Sequence, residues 1–302
     1  MRIHALQTGT VAIKTAQVEG RGSGLRRQLN MLRDTNWTEP LPIYAWAIEH
    51  PEGLIVIDTG ETARALVPGY FPGWHPFYRR GVREWLSAED EIGPQLATLG
   101  FTPRDVRWVV LTHMHTDHAG GLFHFPSAEI LVTRKEYQTA KSLSGKLVGY
   151  LPQHWPDWFA PRQIDFQMEP FGPFPAHLPL TKADDVILVP TPGHSVGHTS
   201  VILREGEQSL FFAGDTSYTQ QLMLEGKIDG VSSKDSIARQ TIQRIQTYTR
   251  DTPTVYLPSH DPASVERLAK RQAIVYPGQS EASETSGTVS YTHLTLPTIL
   301  RV

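Results

Sequence analysis

Four groups able to ligate a metal crowd into six residues of this chain, His113-Met114-His115-Thr116-Asp117-His118. The cluster starts just past an apolar run, 106–111, that reads as a buried strand. In extended chain, residues two apart point the same way. His113 and His115 can therefore face one ion together, while Asp117 and His118 turn towards a neighbouring ion. A packing role for so many polar rings in one short segment is a poor explanation, because each buried ring would need its own partner. Gly120-Gly121 follows and lets backbone approach closely. The chemistry to which this pattern points is metal-dependent hydrolysis.

Further donors stand at the ends of other apolar runs. Thr191-Pro192-Gly193-His194 follows 186–190, Asp215 follows Phe211-Phe212-Ala213-Gly214, and Tyr256-Leu257-Pro258-Ser259 leads to His260. Each of these residues alone is equally at home as a structural group. Together with the first cluster they describe a sheet edge that builds a site from several loops. The chain contains 0 cysteines, so disulfides, thiolate ligands and cysteine nucleophiles are excluded. The remaining donors are nitrogen and oxygen, compatible with Zn²⁺, Mn²⁺, Fe²⁺ or Co²⁺.

The elements that must position these groups are partly legible. Runs 43–49 and 54–58 flank His50-Pro51-Glu52-Gly53 and predict a hairpin; 200–204 and 209–213 flank Glu205-Gly206-Glu207-Gln208 and predict another. Residues 61–90, rich in Gly, Pro and aromatics, read as a long surface loop around a helix beginning near 91 and stopped by Gly100. A strand at 130–133 precedes a helix to about 140. Helices are expected over 234–249, with Ile237, Ile242 and Ile245 near one face, and over 262–271 behind Pro262. Strand 254–257 lies between them. Residues 142–183 hold many prolines and Trp155, Trp158, Phe159, Phe166, Phe171 and Phe174, and read as an inserted lid or as packing against the body. The aromatic side chains Trp155, Trp158, Phe159, Phe174 and Trp74 are candidates to wall a substrate pocket, or to form a homodimer contact.

The motif set His-x-His-x-Asp-His, Gly-His, Gly-Asp and a late His, spread over about 40–265, resembles the metallo-β-lactamase superfamily. The resemblance implies an α/β fold, an αββα sandwich of two mixed sheets flanked by helices, in one domain over 1–277. It implies His113, His115 and His194 on a first metal, Asp117, His118 and His260 on a second, and Asp215 between them. Two cations about 3.5–4 Å apart would share a water and bring its pKa towards about 7. A metal-bridging hydroxide would then attack a carbonyl, and Asp117 would carry the proton to the leaving group. Within the superfamily, Thr191-Pro192-Gly193-His194-Ser195-Val196-Gly197-His198, Asp215-Thr216-Ser217-Tyr218 and Ser259-His260-Asp261 are similar to motifs of the N-acyl homoserine lactonases, the quorum-quenching branch. That likeness implies lactone ring opening, with the Tyr218 hydroxyl on the carbonyl or ring oxygen. His198 matches a position that is not a ligand and is expected to stabilise its turn.

Alternatives remain. A promiscuous carboxylester or phosphotriester hydrolase would use the same site. The β-lactamase branch with a Cys ligand is excluded, the all-His β-lactamase branch lacks an equivalent of Asp215, and the C-terminal region expected of a glyoxalase II-like thioesterase is not found. With 28 basic and 31 acidic residues the formal net charge is −3, which argues against nucleic acid as a partner. No run long enough for a membrane span and no signal peptide is seen, so a cytoplasmic location is expected. Residues 278–302 read as a disordered tail, and 289–302 resemble translated sequencing-adapter read-through, so His293 is given no role.

Overall fold

Segments such as Ile55-Val56-Ile57 and Trp108-Val109-Val110 are apolar at consecutive positions, which a strand tolerates only when both of its faces are covered. The computed structural model, which describes residues 1–232 and 234–276, covers them on both sides. Among the described residues, seven strands form one sheet: β1 (Arg2–Ile13), β2 (Leu41–His50), β3 (Gly53–Ile57), β4 (Val82–Trp85), β5 (Val106–Val110), β6 (Glu129–Thr133) and β7 (Arg162–Ile164), in the order β4-β1-β2-β3-β5-β6-β7. Five form the second: β8 (Leu178–Pro179), β9 (Val186–Pro190), β10 (Thr199–Glu205), β11 (Gln208–Gly214) and β12 (Thr254–Pro258), in the order β12-β11-β10-β9-β8. Both are mixed: β3, β5, β6 and β7 run parallel, as do β11 and β12, and the other pairings are antiparallel.

Trp46, Ile48, Ile55, Ile57 and Val110 of the first sheet meet Leu188, Val201, Leu203, Phe212 and Leu257 of the second in a layer between them. The alternate residues Ala45, Ala47, Val56 and Val109 face Ile92 and Leu96 of the helix Ile92–Thr98. On the far side, Ile187, Ile202 and Phe211 face Ile242, Ile245 and Tyr248 of the helix Asp235–Asp251. The order helix, sheet, sheet, helix is the sandwich that the motifs imply.

Four readings need correction. Residues 61–90 are not merely loop: Val82-Arg83-Glu84-Trp85 is edge strand β4 paired with Thr10–Ile13, and Pro76–Arg80 is helical. Its four-residue alternation is too short to stand out among prolines and glycines. Residues 142–183 do not form a separate lid, since they supply β7 to one sheet and β8 to the other and so connect the two. The buried face of Asp235–Asp251 is Ala238, Thr241, Ile242, Ile245, Tyr248 and Thr249, with Ile237 at its margin. The last helix, Ser264–Lys270, begins two residues after Pro262. The expectations for 278–302 lie outside the described residues.

The first forty residues contain β1 and the helix Gly24–Arg33. That helix inverts the usual amphipathic rule. Leu25, Leu29 and Leu32 are exposed, while Arg27 is fully buried and paired with Asp235 at 2.9 Å. Its other guanidinium bond reaches the Ser232 carbonyl.

Candidate metal centre

The C-terminal ends of β3, β5, β9, β11 and β12 converge on one edge of the sandwich. Backbone bonds tie their extensions together: Thr199 N–H to Thr112 O (2.9 Å), Ser259 N–H to Gly214 O (3.2 Å) and Tyr44 N–H to Ser259 O (3.0 Å). Gly214 sits at φ +54°, and a β-carbon there would lie 2.6 Å from His198 Nε2, so this turn requires glycine. Gly120 and Gly121 serve the close approach expected of them, since β-carbons would lie 2.4 Å from Glu61 Oε1 and from Thr59 O.

All seven candidate ligands come together. Three overlapping groups have converging donor atoms: His113, His115 and His194; His113, His118 and Asp215; and Asp117, His118 and His260. Within them His115 Nδ1 is 3.0 Å from His113 Nε2 and 3.1 Å from His194 Nε2. Asp215 Oδ1 lies 3.2 Å from His118 Nε2 and 3.4 Å from His260 Nε2, while its Oδ2 lies 3.6 Å from His194 Nε2. Asp215 therefore stands between the groups. Asp117 Oδ2 reaches His260 Nε2 at 3.4 Å.

The far nitrogen of every imidazole settles what the near one offers. His118 Nδ1 faces the Asp58 carboxylate at 2.8 Å, His194 Nδ1 faces Asp229 at 2.7 Å, His260 Nδ1 faces Pro42 O at 2.8 Å and His115 Nε2 faces Val148 O at 3.2 Å. His113 Nδ1 meets Thr112 Oγ1 at 3.1 Å, whose own proton goes to Asp58 at 2.8 Å. In a neutral ring the far nitrogen then donates, and the near nitrogen presents a lone pair inward. Lone pairs about 3 Å apart repel unless a cation or proton lies between them. His118 Nε2 and Asp215 Oδ1 are, in addition, buried without a hydrogen-bond partner. This donor set fits divalent metal ions.

The buried charges divide the rings: against the effect of burial the carboxylates raise His118, His194 and His260, while His113 and His115 are lowered. Burial drives His113 well below the ordinary histidine range and His115 to about 4, with the other imidazoles adding to the effect. Burial acts the same way on His260, but Asp215 and Asp117 outweigh it and lift that ring to about 10. Burial opposes ionisation of Asp117, yet His118 and His260 hold it at about 2. The site thus keeps its carboxylates charged.

Sequence reading missed the supporting groups. Asp58, at φ +58° beyond β3, also accepts the Thr112 N–H at 2.7 Å, which fixes where the His cluster begins. Asp229 is held by the Ser232 N–H at 2.6 Å. Glu136, fully buried, accepts four donors: Met114 N–H, Gly197 N–H, Tyr150 O–H and Ser195 O–H, at 2.7–3.1 Å. It clamps the loop carrying His115 to the loop carrying His194. The carboxylates past strand ends were a usable signal for Asp58, whereas nothing local marks Glu136. His198 takes the turn-stabilising position: its Nδ1 meets Thr191 Oγ1 at 2.9 Å and its Nε2 accepts the Asp215 N–H at 3.1 Å.

That arrangement carries a pH prediction. Burial holds His198 at about 3, whereas an unfolded chain protonates this ring near 6.5. The favourable contribution is present above pH 6.5 and is lost as pH falls towards 3. In chelator, His198→Gln should flatten the fall of the urea midpoint between pH 7 and 4.5, and an unchanged slope would remove this account.

The donor groups open on a cleft of about 1050 Å³ including its mouth. Val11, Ile13 and Val82 of β1 and β4 form one wall, Met31 and Leu32 of the N-terminal helix another, and Phe77, Tyr78, Leu147 and Val148 a third. Tyr218, 3% exposed, lies in it beside His194, Asp215 and His260. The five aromatic residues expected to line a pocket are elsewhere. Trp155 and Phe159 pack with Tyr137 beneath the first sheet, Phe174 is buried against Tyr248 and Phe211, and Trp74 and Trp158 are largely exposed. The outer faces of the sheets need cover, and three of these rings supply it. One carboxylate outside the donor set, Glu84, stands among the walls, where the alternation of β4 calls for an apolar residue.

The family model of the metallo-beta-lactamase superfamily matches residues 38–260. N-acyl homoserine lactonase AttM of Rhizobium radiobacter is 26% identical over 276 residues, covering 87% of this chain and 94% of that protein. The N-acyl homoserine lactonase of Bacillus thuringiensis is 27% identical over 223 residues, 73% of this chain and 82% of its own length. Among solved structures, a B. thuringiensis AiiA variant with N-decanoyl-L-homoserine at its active site superposes with a TM-score of 0.71 at 22% identity, covering 87% of this chain and 94% of that one. The dizinc quorum-quenching lactonase AidC, in complex with a product, gives 0.59 at 17% identity over 86% and 87% of the two chains. These structural likenesses speak for the fold.

Proposed function

The chain belongs to the metallo-beta-lactamase superfamily, and we propose that within it the protein opens the ester bond of N-acyl homoserine lactones. It is a metal-dependent hydrolase acting on ester bonds. The observation that carries the lactone reading is the placement of the Tyr218 phenol in the same apolar-walled cleft as the three overlapping donor groups. The names of the relatives point the same way.

The roles follow from position. His113, His115 and His194 would hold one divalent ion, Asp117, His118 and His260 a second, and Asp215 would serve both; Zn²⁺ suits this nitrogen and oxygen set, with Mn²⁺, Fe²⁺ or Co²⁺ as alternatives. When bound, such ions supply Lewis acidity towards a carbonyl oxygen and lower the pKa of water towards about 7. Tyr218 donates its O–H to the oxygen on which charge develops at the ring carbonyl. Asp117, partly open to the cleft, takes up the proton released by the water whose oxygen bonds to the carbonyl carbon, and gives it to the ring oxygen as the ring C–O bond breaks, leaving the carboxylate and free hydroxyl of the product. The apolar walls take the acyl chain and exclude water from the reacting ester. Among the described residues no helix is long and apolar enough to cross a membrane.

A substrate panel tests the reading. Metal-loaded protein is offered C4 to C12 acyl-homoserine lactones, p-nitrophenyl esters, paraoxon, S-lactoylglutathione and a cephalosporin. The best lactone should exceed every other substrate in kcat/KM by about tenfold or more, equivalent to roughly 1.4 kcal/mol of transition-state preference. Aryl ester or phosphotriester turnover above that of every lactone would instead make it a broad esterase of the same fold.

A further inference from the structure

Gln17 belongs to the short helix Thr15–Val18 and is 6% exposed, yet it forms part of the cleft wall. Its Nε2 donates to the Tyr218 phenol oxygen at 3.0 Å. Its Oε1 is buried and has no hydrogen-bond partner. A buried carbonyl oxygen without a donor is costly, and folded proteins retain few of them. The segment around it is firmly held. Asp34 accepts from Ala16 N–H at 2.7 Å and Thr15 O–H at 2.8 Å, and the Gln17 carbonyl accepts from Gly230 N–H at 2.8 Å. With its backbone fixed at both faces, Gln17 holds its amide against the Tyr218 phenol.

The two ends of the amide divide the work. Because the phenol oxygen receives the Gln17 N–H, the phenol's own proton is free for another acceptor in the cleft that the donor groups also line. The unpartnered Oε1 calls for a donor arriving with the ligand. An N-acyl homoserine lactone brings one N–H, next to the ring carbon that bears the reacting carbonyl.

We propose that Gln17 is a specificity-determining residue, whose Oε1 accepts the amide N–H of the substrate while its Nε2 holds the Tyr218 oxygen. The assignment rests on the lactone reading and narrows it to lactones with a secondary amide beside the ring. An amide-free lactone would leave Oε1 buried and unpaired, which is how a polar site rejects a substrate that lacks the matching group.

The test compares two substrates within each protein: N-hexanoyl homoserine lactone and an amide-free γ-butyrolactone carrying an alkyl chain of matched length at the same ring position. Gln17→Met keeps the volume and removes both polar groups. Its kcat/KM should fall on the order of ten- to a hundredfold more for the amide-bearing lactone than for the amide-free one. Taking the ratio within one preparation cancels any loss of folded protein. In a Tyr218→Phe background the loss common to both lactones should shrink, while the discrimination between them persists. Equal losses on the two lactones, or none, would overturn the assignment. If the wild-type protein opens neither lactone, the lactone reading itself fails. The Gln17 assignment is then decided by the same ratio on p-nitrophenyl esters of an N-acyl amino acid and of the matching amide-free acid.

Discussion

Asp215→Ala should deprive the protein of metal first and of activity as a consequence. Its Oδ1 faces His118 and His260 and its Oδ2 faces His194, so one carboxylate lies between histidines of all three candidate groups. Loss of an outer partner of a metal ligand costs about 10–100-fold in affinity or activity. Loss of a shared ligand should exceed that range, and kcat/KM should fall beyond about 100-fold. Elemental analysis after dialysis should give about two ions per chain for the wild type and fewer than about one for the variant. Melting temperature provides a second measurement. Ions that bind only the folded chain stabilise it by about 2.7 kcal/mol at a free concentration 100 times their Kd. Chelator should therefore lower the wild-type melting temperature and leave Asp215→Ala nearly unmoved. A variant that keeps its metal content and chelator response would place Asp215 outside the ligand set.

The seven donor residues were readable because their chemistry is written locally. An apolar run ending in Gly-Asp, or in Pro-Ser-His, announces both the strand and the group at its tip. His113 to His118 fall past the end of β5, His194 past β9, Asp215 at the end of β11 and His260 past β12, so one rule located all seven. The cleft was not readable by that rule. Its walls come from β1, β4, the helix Gly24–Arg33, Phe77-Tyr78 and Leu147-Val148, which are far apart in sequence, and the patterns of β4 and of that helix mislead. The helix turns leucines outward and an arginine inward, because Arg27 finds Asp235 and the Ser232 carbonyl only in the folded chain. Glu84 occupies an inward position of β4 where alternation predicts an apolar side chain. Composition also misled in the aromatic stretch. Trp155, Phe159 and Phe174 look like pocket walls when counted, but the sandwich has outer faces to cover and these rings cover them. Glu136 is the clearest case of a group invisible from sequence. Its four donors come from residues 114, 150, 195 and 197, and only tertiary structure brings them to one carboxylate.

Tyr218→Phe separates holding the metals from using them. The phenol makes no ligand contact in the donor groups, and its oxygen is fixed by Gln17 at 3.0 Å. Burial, reinforced by the carboxylates of Asp215 and Asp229, pushes its ionisation well above the ordinary tyrosine range. Its surroundings therefore favour the protonated form that can donate. A preorganised donor aimed at developing negative charge contributes about 10²–10³ in kcat. The phenylalanine variant should lose about that much kcat on the best lactone with a small change in KM, because the interaction strengthens only as the carbonyl oxygen gains charge. Metal content should match the wild type, in contrast to Asp215→Ala. Folding stability should fall by about 1–3 kcal/mol, since the Gln17 amide loses its acceptor in a buried place. Unchanged lactone kcat in a fully metal-loaded variant would make Tyr218 a packing residue of the cluster formed by Val11, Ile13 and Ile43. Lowered metal content would make it part of the metal-holding framework instead.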